Sequence, residues 1–254
     1  MANRGTTGTG TAIPLTTAAK TPAAAPSLRS KEEWERWYAT PDPWQSDGSE
    51  KDRVRTQAIL DRLKFAHFAH FLDVGCGEGR LTKALSTLCD HSLAVDIAEN
   101  ALDRARARYH DIEFQQGDLL DVIARPEVAG TPFDFVSVSE VLYYLCTDEE
   151  RIAAIAGLSR IGTPLCLFYF SVIVTGPTQH RRYFTHDEFL DLLSPHFNVI
   201  DTFTSVANVP RWLDVLRHVL PSEHTTLAVL KAWTAAQRPE DCRHLGCFAL
   251  KRNA

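Results

Sequence analysis

The amino-acid sequence predicts an α/β fold built on one doubly wound, mainly parallel β-sheet. Short apolar segments alternate with helical segments from residue 65 onwards, and this alternation is typical of a parallel sheet with helices on both faces. Two of the helices begin with capping boxes, at residues 147–150 and 185–188. A glycine-rich turn also joins the first apolar segment to the helix that follows it, as in many α/β folds that bind nucleotides.

The individual elements follow from local patterns of apolar residues and turn residues. Strands are predicted over residues 70–74, 92–96, 112–116, 133–139, 165–174, 197–204 and 246–251. Helices are predicted over residues 31–38, 50–64, 80–88, 101–109, 148–159 and 186–193.

The chain divides into three predicted parts. Residues 1–27 consist mostly of Thr, Ala, Gly, Pro and Ser, and such a segment buries too little apolar surface to offset its ordering entropy, so it predicts a disordered tail. Residues 28–64 predict an N-terminal helical segment. Residues 65–254 predict the α/β domain itself, with a helical insertion at 208–240 between its last two strands.

The composition excludes several classes of protein. The 254 residues are 44% hydrophobic with a net charge of −5, which fits one well-buried domain and not the basic surface of a nucleic-acid-binding protein. The longest apolar run is too short to span a bilayer. The six cysteines are scattered without a CxxC pair, so we expect reduced thiols, no metal site and a cytoplasmic location.

The glycine-rich turn, DVGCGEG at residues 73–79, is the first part of a predicted cofactor site. Gly75, Gly77 and Gly79 let the backbone approach a ligand closely. Both dinucleotides and S-adenosylmethionine bind at such turns, so the turn alone leaves two cofactors open. Arg80 occupies the place of the third glycine in the dinucleotide pattern GxGxxG, which favours S-adenosylmethionine.

Acidic residues at successive strand ends point to the same cofactor. Asp73 precedes the first glycine; it would repel a pyrophosphate but could receive the ammonium group of a methionine moiety. Asp96 ends the next strand, where a carboxylate accepts ribose hydroxyls. After the third strand, Asp118 could accept the adenine amino group and Leu119 could pack on the ring. The predicted cofactor site is completed by Ile97, which follows Asp96, and by Ser139 at the end of the fourth strand.

Taken together, these motifs resemble those of class I S-adenosylmethionine-dependent methyltransferases. The resemblance rests on DVGCGEG, VDIA, GDL and FDFVSVSEVLYYL and covers roughly residues 70–205. It implies a three-layer, Rossmann-like sheet of seven strands, mostly parallel with an antiparallel last strand, and residues 246–251 fit that last strand. It also implies S-adenosyl-L-methionine as the cofactor.

A second resemblance concerns the N-terminal segment. YATPDPW at residues 38–44 and SEKDRVR at 49–55 resemble the NodS-like N-methyltransferase family, which methylates a free amine on a chitooligosaccharide. SEVLYYL at residues 139–145 is also similar to that family.

The resemblance implies that residues 28–64 form a helical lid over the cofactor. Trp44 and Arg55 would then lie near the methyl donor, and an arginine could bind the donor's carboxylate. Lys51, where the relatives tend to have an aromatic residue, and the insertion at 208–240 depart from the family pattern.

Three residues are candidates for catalysis. Glu140 and Tyr143 lie in the loop after the fourth strand, and His180 lies in the loop after the fifth. Both loops face the cleft of an open α/β sheet. His244, near the last strand, ranks below His180. An amine acceptor needs only to be neutral, whereas a hydroxyl needs a general base. A carboxylate such as Glu140 could hold an amine, which favours N-methylation.

The sequence therefore predicts an S-adenosylmethionine-dependent methyltransferase acting on a small molecule. The expected reaction is N-methylation of an amino sugar or aminocyclitol-type metabolite in specialised metabolism, such as antibiotic biosynthesis. O- or C-methylation of another natural product is the alternative, and an NAD-dependent oxidoreductase is a remote one. The expected partner is a small-molecule amine or hydroxyl acceptor, with no nucleic acid and no membrane, in a monomer or homodimer. Arg104, Arg106 and Arg108 are interpreted as a solvated helix face.

Overall fold

A computed structural model describes most of the predicted α/β domain and the segment that precedes it. The described residues are 30–125, 132–145, 147–161, 164–171, 184–205 and 244–252, with single positions at 128, 130, 225, 228, 229, 232, 233 and 236. The predicted tail at 1–27 and most of the predicted insertion at 208–240 lie outside these residues.

The described residues form one seven-stranded sheet in the order β3-β2-β1-β4-β5-β7-β6. The first five strands pair in parallel, whereas β7 runs antiparallel to both β5 and β6. The predicted mostly parallel sheet with an antiparallel last strand is thereby confirmed. The strands are β1 (Phe68–Val74), β2 (Cys89–Asp96), β3 (Glu113–Gln116), β4 (Phe135–Ser139), β5 (Leu165–Ser171), β6 (Phe197–Ser205) and β7 (His244–Lys251).

The helices agree with the sequence pattern to within a few residues at their ends. Two of them were not predicted, namely α5 and a short 3₁₀ turn at Leu142–Tyr144, because a segment of a single turn or two carries too little periodicity to be recognised. The helices are α1 (Lys31–Trp37), α2 (Glu50–Leu63), α3 (Arg80–Ser86), α4 (Glu99–Arg108), α5 (Leu119–Ala124), α6 (Asp148–Leu158) and α7 (His186–Leu193).

Alternate residues of the central strands face two different helix layers. On β1, Phe71 is fully buried and packs in one cluster with Ile59 of α2 and Leu85 of α3. Its neighbour Leu72 points the other way, into a cluster with Ile155 of α6. Each such buried side chain contributes about 1.5–3 kcal/mol relative to an exposed one. The sheet is therefore the middle of three layers, as predicted.

Side-chain caps fix where several helices begin. Thr147 accepts a hydrogen bond from the Glu150 amide at 3.1 Å, while the Glu150 carboxylate accepts one from the Thr147 amide at 2.9 Å. The predicted capping box at α6 is thus confirmed, and α7 begins with an equivalent box at Thr185 and Glu188. A third box, at Ser30 and Glu33, begins α1. These caps satisfy amide groups that have no partner within the helix.

Replacing Gly246 by Ala tests how tightly β7 packs against β6. A Cβ atom at this position of β7 would overlap the ring of Phe203 on β6, and the ring cannot move without disturbing a buried cluster. We expect Gly246→Ala to lower the free energy of unfolding by about 1–3 kcal/mol. Gly130→Ala is the matched control, because no atom lies within 4 Å of its added Cβ. Urea unfolding compares the two variants; equal stabilities would contradict the packing.

Candidate functional site

A cavity of about 810 Å³ opens at the carboxyl ends of the parallel strands, where ligands of open α/β sheets bind. The turns after β1, β2, β3 and β4 line one side of it, and residues of the N-terminal segment line the other. Among the predicted site residues, the lining includes Trp44, Arg55, Asp73, Gly75, Gly77, Asp96, Ile97, Asp118, Leu119, Ser139, Glu140 and Tyr143. His180 lies outside the described residues.

The glycine-rich turn approaches its neighbours too closely for side chains. Gly75 and Gly77 have φ angles of 77° and 54°, which favour glycine. A Cβ on Gly75 would overlap Val141, and one on Gly77 would lie 2.8 Å from the Tyr38 hydroxyl. Gly79, predicted as a cofactor contact, does not belong to the cavity lining; it is the N-cap of α3.

Asp96 ties the glycine-rich turn to the end of β2. Its carboxylate accepts a hydrogen bond from the Gly77 amide at 2.7 Å and another from the Ala98 amide at 2.9 Å. Burial raises the pKa of Asp96 from 3.8 to about 6, although the hydrogen bonds from the two amides oppose this rise. Each carboxylate oxygen has a second lone pair, so the group can still accept hydrogen bonds from a ligand in the cavity.

Asp73 is a second buried carboxyl group on the other side of the same turn. It is 2% exposed and accepts a hydrogen bond from the Thr82 hydroxyl at 2.5 Å. Burial is the main cause that raises the pKa of Asp73 from 3.8 to about 6, and the cation of Arg55 lowers it in part. A cationic ligand group in the cavity would favour the ionised form.

The turn after β3 also lines the cavity. Asp118 caps α5, since its side chain accepts a hydrogen bond from the Leu120 amide at 2.8 Å. Asp118 lines the cavity together with the buried Leu119 and the half-buried Ile97. A carboxylate next to two apolar side chains suits a flat heterocycle with an amino group.

Aromatic side chains from the N-terminal segment line the cavity. The indole of Trp44 donates a hydrogen bond to the Tyr38 hydroxyl at 3.0 Å. Trp34 lies edge-on to Tyr144, with 4.8 Å between the ring centroids, and all four of these residues line the cavity. Burial raises the pKa of Tyr38 well above its ordinary value, so this hydroxyl stays protonated. No local sequence pattern marks Tyr38 as a site residue.

An acidic residue of the turn, Glu78, holds the strap between α1 and α2 (residues 38–49) against the domain. Its carboxylate accepts hydrogen bonds from the Asp42 amide at 2.8 Å and from Arg104 at 2.8 Å. Arg104 also donates to the Tyr38 carbonyl at 2.7 Å, and Arg80 bridges Glu78 to Asp47. The interpretation of Arg104 as part of a solvated face is therefore wrong: it joins α4 to the strap, a contact that only the tertiary structure creates.

Two arginines of α2 that line the cavity differ in their surroundings. Arg53 pairs with Glu50 at 2.8 Å on a partly exposed surface. Arg55 is more buried; it pairs with Asp52 at 2.9 Å and its guanidinium lies 5.5 Å from the centre of the Tyr169 ring. Both line the cavity, so either cation could face an anionic ligand group.

The end of β4 brings a further pair of ionisable groups to the cavity. Glu140 lies 3.3 Å from the Nε2 atom of His244, at the start of β7. Tyr143 is buried one turn further on and also lines the cavity. Among the described residues, no group of three or more His, Cys, Asp or Glu side chains could hold a metal ion, and no helix there is long and apolar enough to cross a membrane.

Comparison with known proteins places this site in a family. The model of the nodulation protein S (NodS) family matches residues 28–173, more than half of the chain. The chain belongs to the NodS family. The match includes the N-terminal segment, the glycine-rich turn and the end of β4.

Individual relatives include a nodulation protein S and an O-methyltransferase. The chain is 33% identical to nodulation protein S of Rhizobium tropici over 130 residues, which are 51% of this chain and 54% of the relative. It is 30% identical to a ubiquinone biosynthesis O-methyltransferase of Xanthomonas euvesicatoria over 133 residues, 49% of this chain and 54% of that protein. The chain thus spans little more than half the length of these curated relatives.

A solved NodS structure shows the same fold. The N-methyltransferase NodS of Bradyrhizobium japonicum WM9, in complex with S-adenosyl-L-homocysteine, matches with a TM-score of 0.64 and 18% identity, covering 89% of this chain and 100% of that chain. The Rossmann-like methyltransferase fold predicted from the sequence is confirmed by this match and by the sheet order.

Replacing Asp73 by Asn tests what the burial of this carboxyl group costs the NodS-type fold. Because the pKa of Asp73 is about 6 in the folded protein and 3.8 ordinarily, the folded state binds the proton more tightly than the unfolded state. The free energy of unfolding should therefore fall as the pH rises from about 4 to about 6. Asp73→Asn should reduce this fall. The fall that remains is the contribution of Asp96, whose pKa is also raised to about 6.

Urea unfolding at several pH values across this window measures the effect. Asp90→Asn is the control, because Asp90 is an exposed carboxylate outside the cavity lining. An Asp73→Asn protein whose stability changes with pH as steeply as the wild type would contradict the prediction.

Proposed function

We propose that this chain is an S-adenosyl-L-methionine-dependent methyltransferase that N-methylates a small-molecule amine. The observation that carries the proposal is the set of three carboxyl groups around one cavity: Asp73 and Asp96 beside the glycine-rich turn, and Glu140 at the end of β4. The proposed acceptor is an amino sugar or an aminocyclitol-type metabolite of specialised metabolism.

The residues of the cavity fit this cofactor. Asp73 would receive the ammonium group of the methionine moiety, and Gly75 and Gly77, which line the cavity without side chains, would let the cofactor approach the turn. Asp96 would accept the ribose hydroxyls. Asp118 would accept the adenine amino group. When bound, the cofactor supplies a methyl group that is already activated by its positive charge.

The buried carboxyl group of Asp73 also argues against a dinucleotide. A pyrophosphate at the turn would face Asp73, which is 2% exposed and poorly screened by water. The repulsion between like charges rises as the local dielectric falls. This weighs against the NAD-dependent oxidoreductase considered from the sequence.

We further propose that residues 28–64 act as a lid over the cofactor. The Glu78 contacts with the strap support this role, since they fasten the strap beside the glycine-rich turn. Arg55 would bind the cofactor carboxylate, and Trp44 would shield the donor from water. Exclusion of water favours the alignment of acceptor and donor on which this type of displacement depends.

Glu140 and Tyr143 are the groups proposed to meet the acceptor. A neutral amine attacks through its lone pair and its methylated product loses a proton to solvent after the transfer, so a carboxylate that holds the amine in place is sufficient. His180 stays a candidate for a further proton acceptor. O- or C-methylation of another natural product is the alternative, and the O-methyltransferase relative favours keeping it. We also propose a cytoplasmic monomer or homodimer without nucleic-acid or membrane partners.

A methyl-transfer assay tests the proposed function. The protein is incubated with S-adenosylmethionine and, separately, with glucosamine, a deacetylated chitooligosaccharide, an aminocyclitol and a catechol. We expect S-adenosylhomocysteine and a methylated amine, both detected by mass spectrometry. Methylation of the catechol alone would favour the O-methyltransferase alternative. Tight binding of NADH with no response to S-adenosylhomocysteine would overturn the proposal.

Replacing Asp96 by Ala tests the cofactor site itself. The change removes the proposed charge-assisted hydrogen bonds to the ribose, so we expect binding of S-adenosylhomocysteine to weaken by roughly 1–3 kcal/mol. Isothermal titration calorimetry measures the affinity, and circular dichroism checks that the Asp96→Ala protein is folded. Asp90→Ala, on the same strand but outside the cavity lining, should bind like the wild type. Unchanged affinity of Asp96→Ala would mean that the ribose lies elsewhere.

A further inference from the structure

His244 and Glu140 come from distant parts of the chain and meet at the cavity. Nε2 of His244 lies 3.3 Å from a carboxylate oxygen of Glu140, within reach of a hydrogen bond. Both residues line the cavity, and the His244 side chain is 8% exposed. A buried imidazole beside a carboxylate is a common way to orient an ionisable group.

The backbone of Glu140 is held in an unusual conformation. Its φ angle is 60°, a left-handed conformation that costs a residue with a Cβ atom some stability. The Glu140 amide donates a hydrogen bond to the Tyr169 carbonyl on β5 at 2.6 Å. The sharp turn after β4 therefore directs Glu140 away from the line of the strand, and its backbone position is fixed by the neighbouring strand.

The imidazole of His244 is held by two further strands. It stacks on the Tyr169 ring, with 5.8 Å between centroids and 12° between planes. The Tyr169 hydroxyl in turn hydrogen-bonds to the Ser205 hydroxyl of β6. His244 also pairs with Ser171 on β5 and with Ser205 on β6 in the sheet register. The ring is thus oriented by the sheet and not by a loop.

We propose that His244 is a positioning residue: it donates a hydrogen bond from Nε2 to Glu140 and fixes that carboxylate in the direction of the acceptor amine. This inference rests on the proposed function, in which Glu140 holds the amine. A carboxylate has two oxygens, so one can accept from His244 while the other faces the acceptor. Without the imidazole, Glu140 would be free to rotate about its side-chain bonds.

The surrounding charges favour this role. Arg55 faces the region from α2, but its guanidinium is paired with Asp52 at 2.9 Å. Burial holds the pKa of Tyr169 well above its ordinary value, so the ring against which His244 stacks stays neutral. Tyr143 lies on the same side of the cavity as Glu140. The His244 imidazole, 3.3 Å from the Glu140 carboxylate, is thus a basic group in direct contact with it.

Enzyme kinetics with the amine that the wild type methylates test the proposal. We expect His244→Ala to raise KM for the amine roughly 10- to 100-fold, the effect of losing a hydrogen bond to a charged group, while affinity for S-adenosylhomocysteine changes less than about twofold. His244→Gln can still donate a hydrogen bond and should recover most of the loss. A merely structural role would not separate the two ligands in this way.

Two further variants make the kinetic result specific. His91→Ala removes an exposed imidazole outside the cavity lining, and should leave KM for the amine near the wild-type value. In the Glu140→Ala background, His244→Ala should add little, because coupled residues are not additive. An unchanged KM in His244→Ala, or a full additional loss in the double variant, would overturn the proposal.

A measurement on the free protein separates this proposal from the proposed function. In ¹⁵N-histidine-labelled protein, a hydrogen-bonded Nε2–H proton of His244 should give a downfield signal, assigned by its absence in His244→Gln. We expect Glu140→Ala to abolish that signal, and its persistence would overturn the contact. If the signal depends on Glu140 but no amine is methylated, the proposed function fails while the contact stands.

Discussion

The hydrogen bond between the Gly77 amide and the Asp96 carboxylate, 2.7 Å long, is the contact on which the rest of the site depends. It ties the turn after β1 to the end of β2, and the Val95 carbonyl reinforces the tie by accepting from the amides of Gly75 and Cys76. The turn must therefore be left-handed and free of side chains at Gly75 and Gly77. The conformation of the turn then sets the positions of Asp73, of the start of α3 and of the Glu78 carboxylate with its contacts.

The same geometry is costly to the protein without a ligand. Asp73 and Asp96 are both buried near the turn, and burial raises the pKa of each to about 6. Neutral pH thus favours ionised groups that the surrounding protein solvates poorly. Functional sites commonly retain such groups because a ligand of the right charge relieves the cost. A ligand that brings an ammonium group to Asp73 and hydroxyl donors to Asp96 would do so, and this is the physical reason for preferring a cationic methionine-type cofactor.

The N-terminal segment is held beside the cavity by two kinds of contact with different physical character. Trp34, Tyr38 and Trp44 form an apolar wall, whereas Glu78 and Arg104 form a charged link at the edge of the strap. The aromatic wall depends on burial and is not weakened by charge screening, while the partly exposed ion pairs weaken as ionic strength rises. Opening of the strap would expose the rings, so the two kinds of contact oppose opening together.

The sequence by itself determined the α/β class, the capping boxes and the strand ends that carry Asp73, Asp96 and Asp118, because alternating apolar segments and a glycine-rich turn are local patterns. It also pointed to the NodS family through short motifs around Trp44 and Glu140. Only the tertiary structure decided which charged groups meet. The sequence pattern places Arg104 on a solvated face, whereas in the structure it joins α4 to the strap. The sequence also gives no sign that His244 lies 3.3 Å from Glu140. Both contacts join segments far apart in the chain: the first depends on where the strap lies against α4 and the second on the order of the strands in the sheet, and neither can be read from a local pattern.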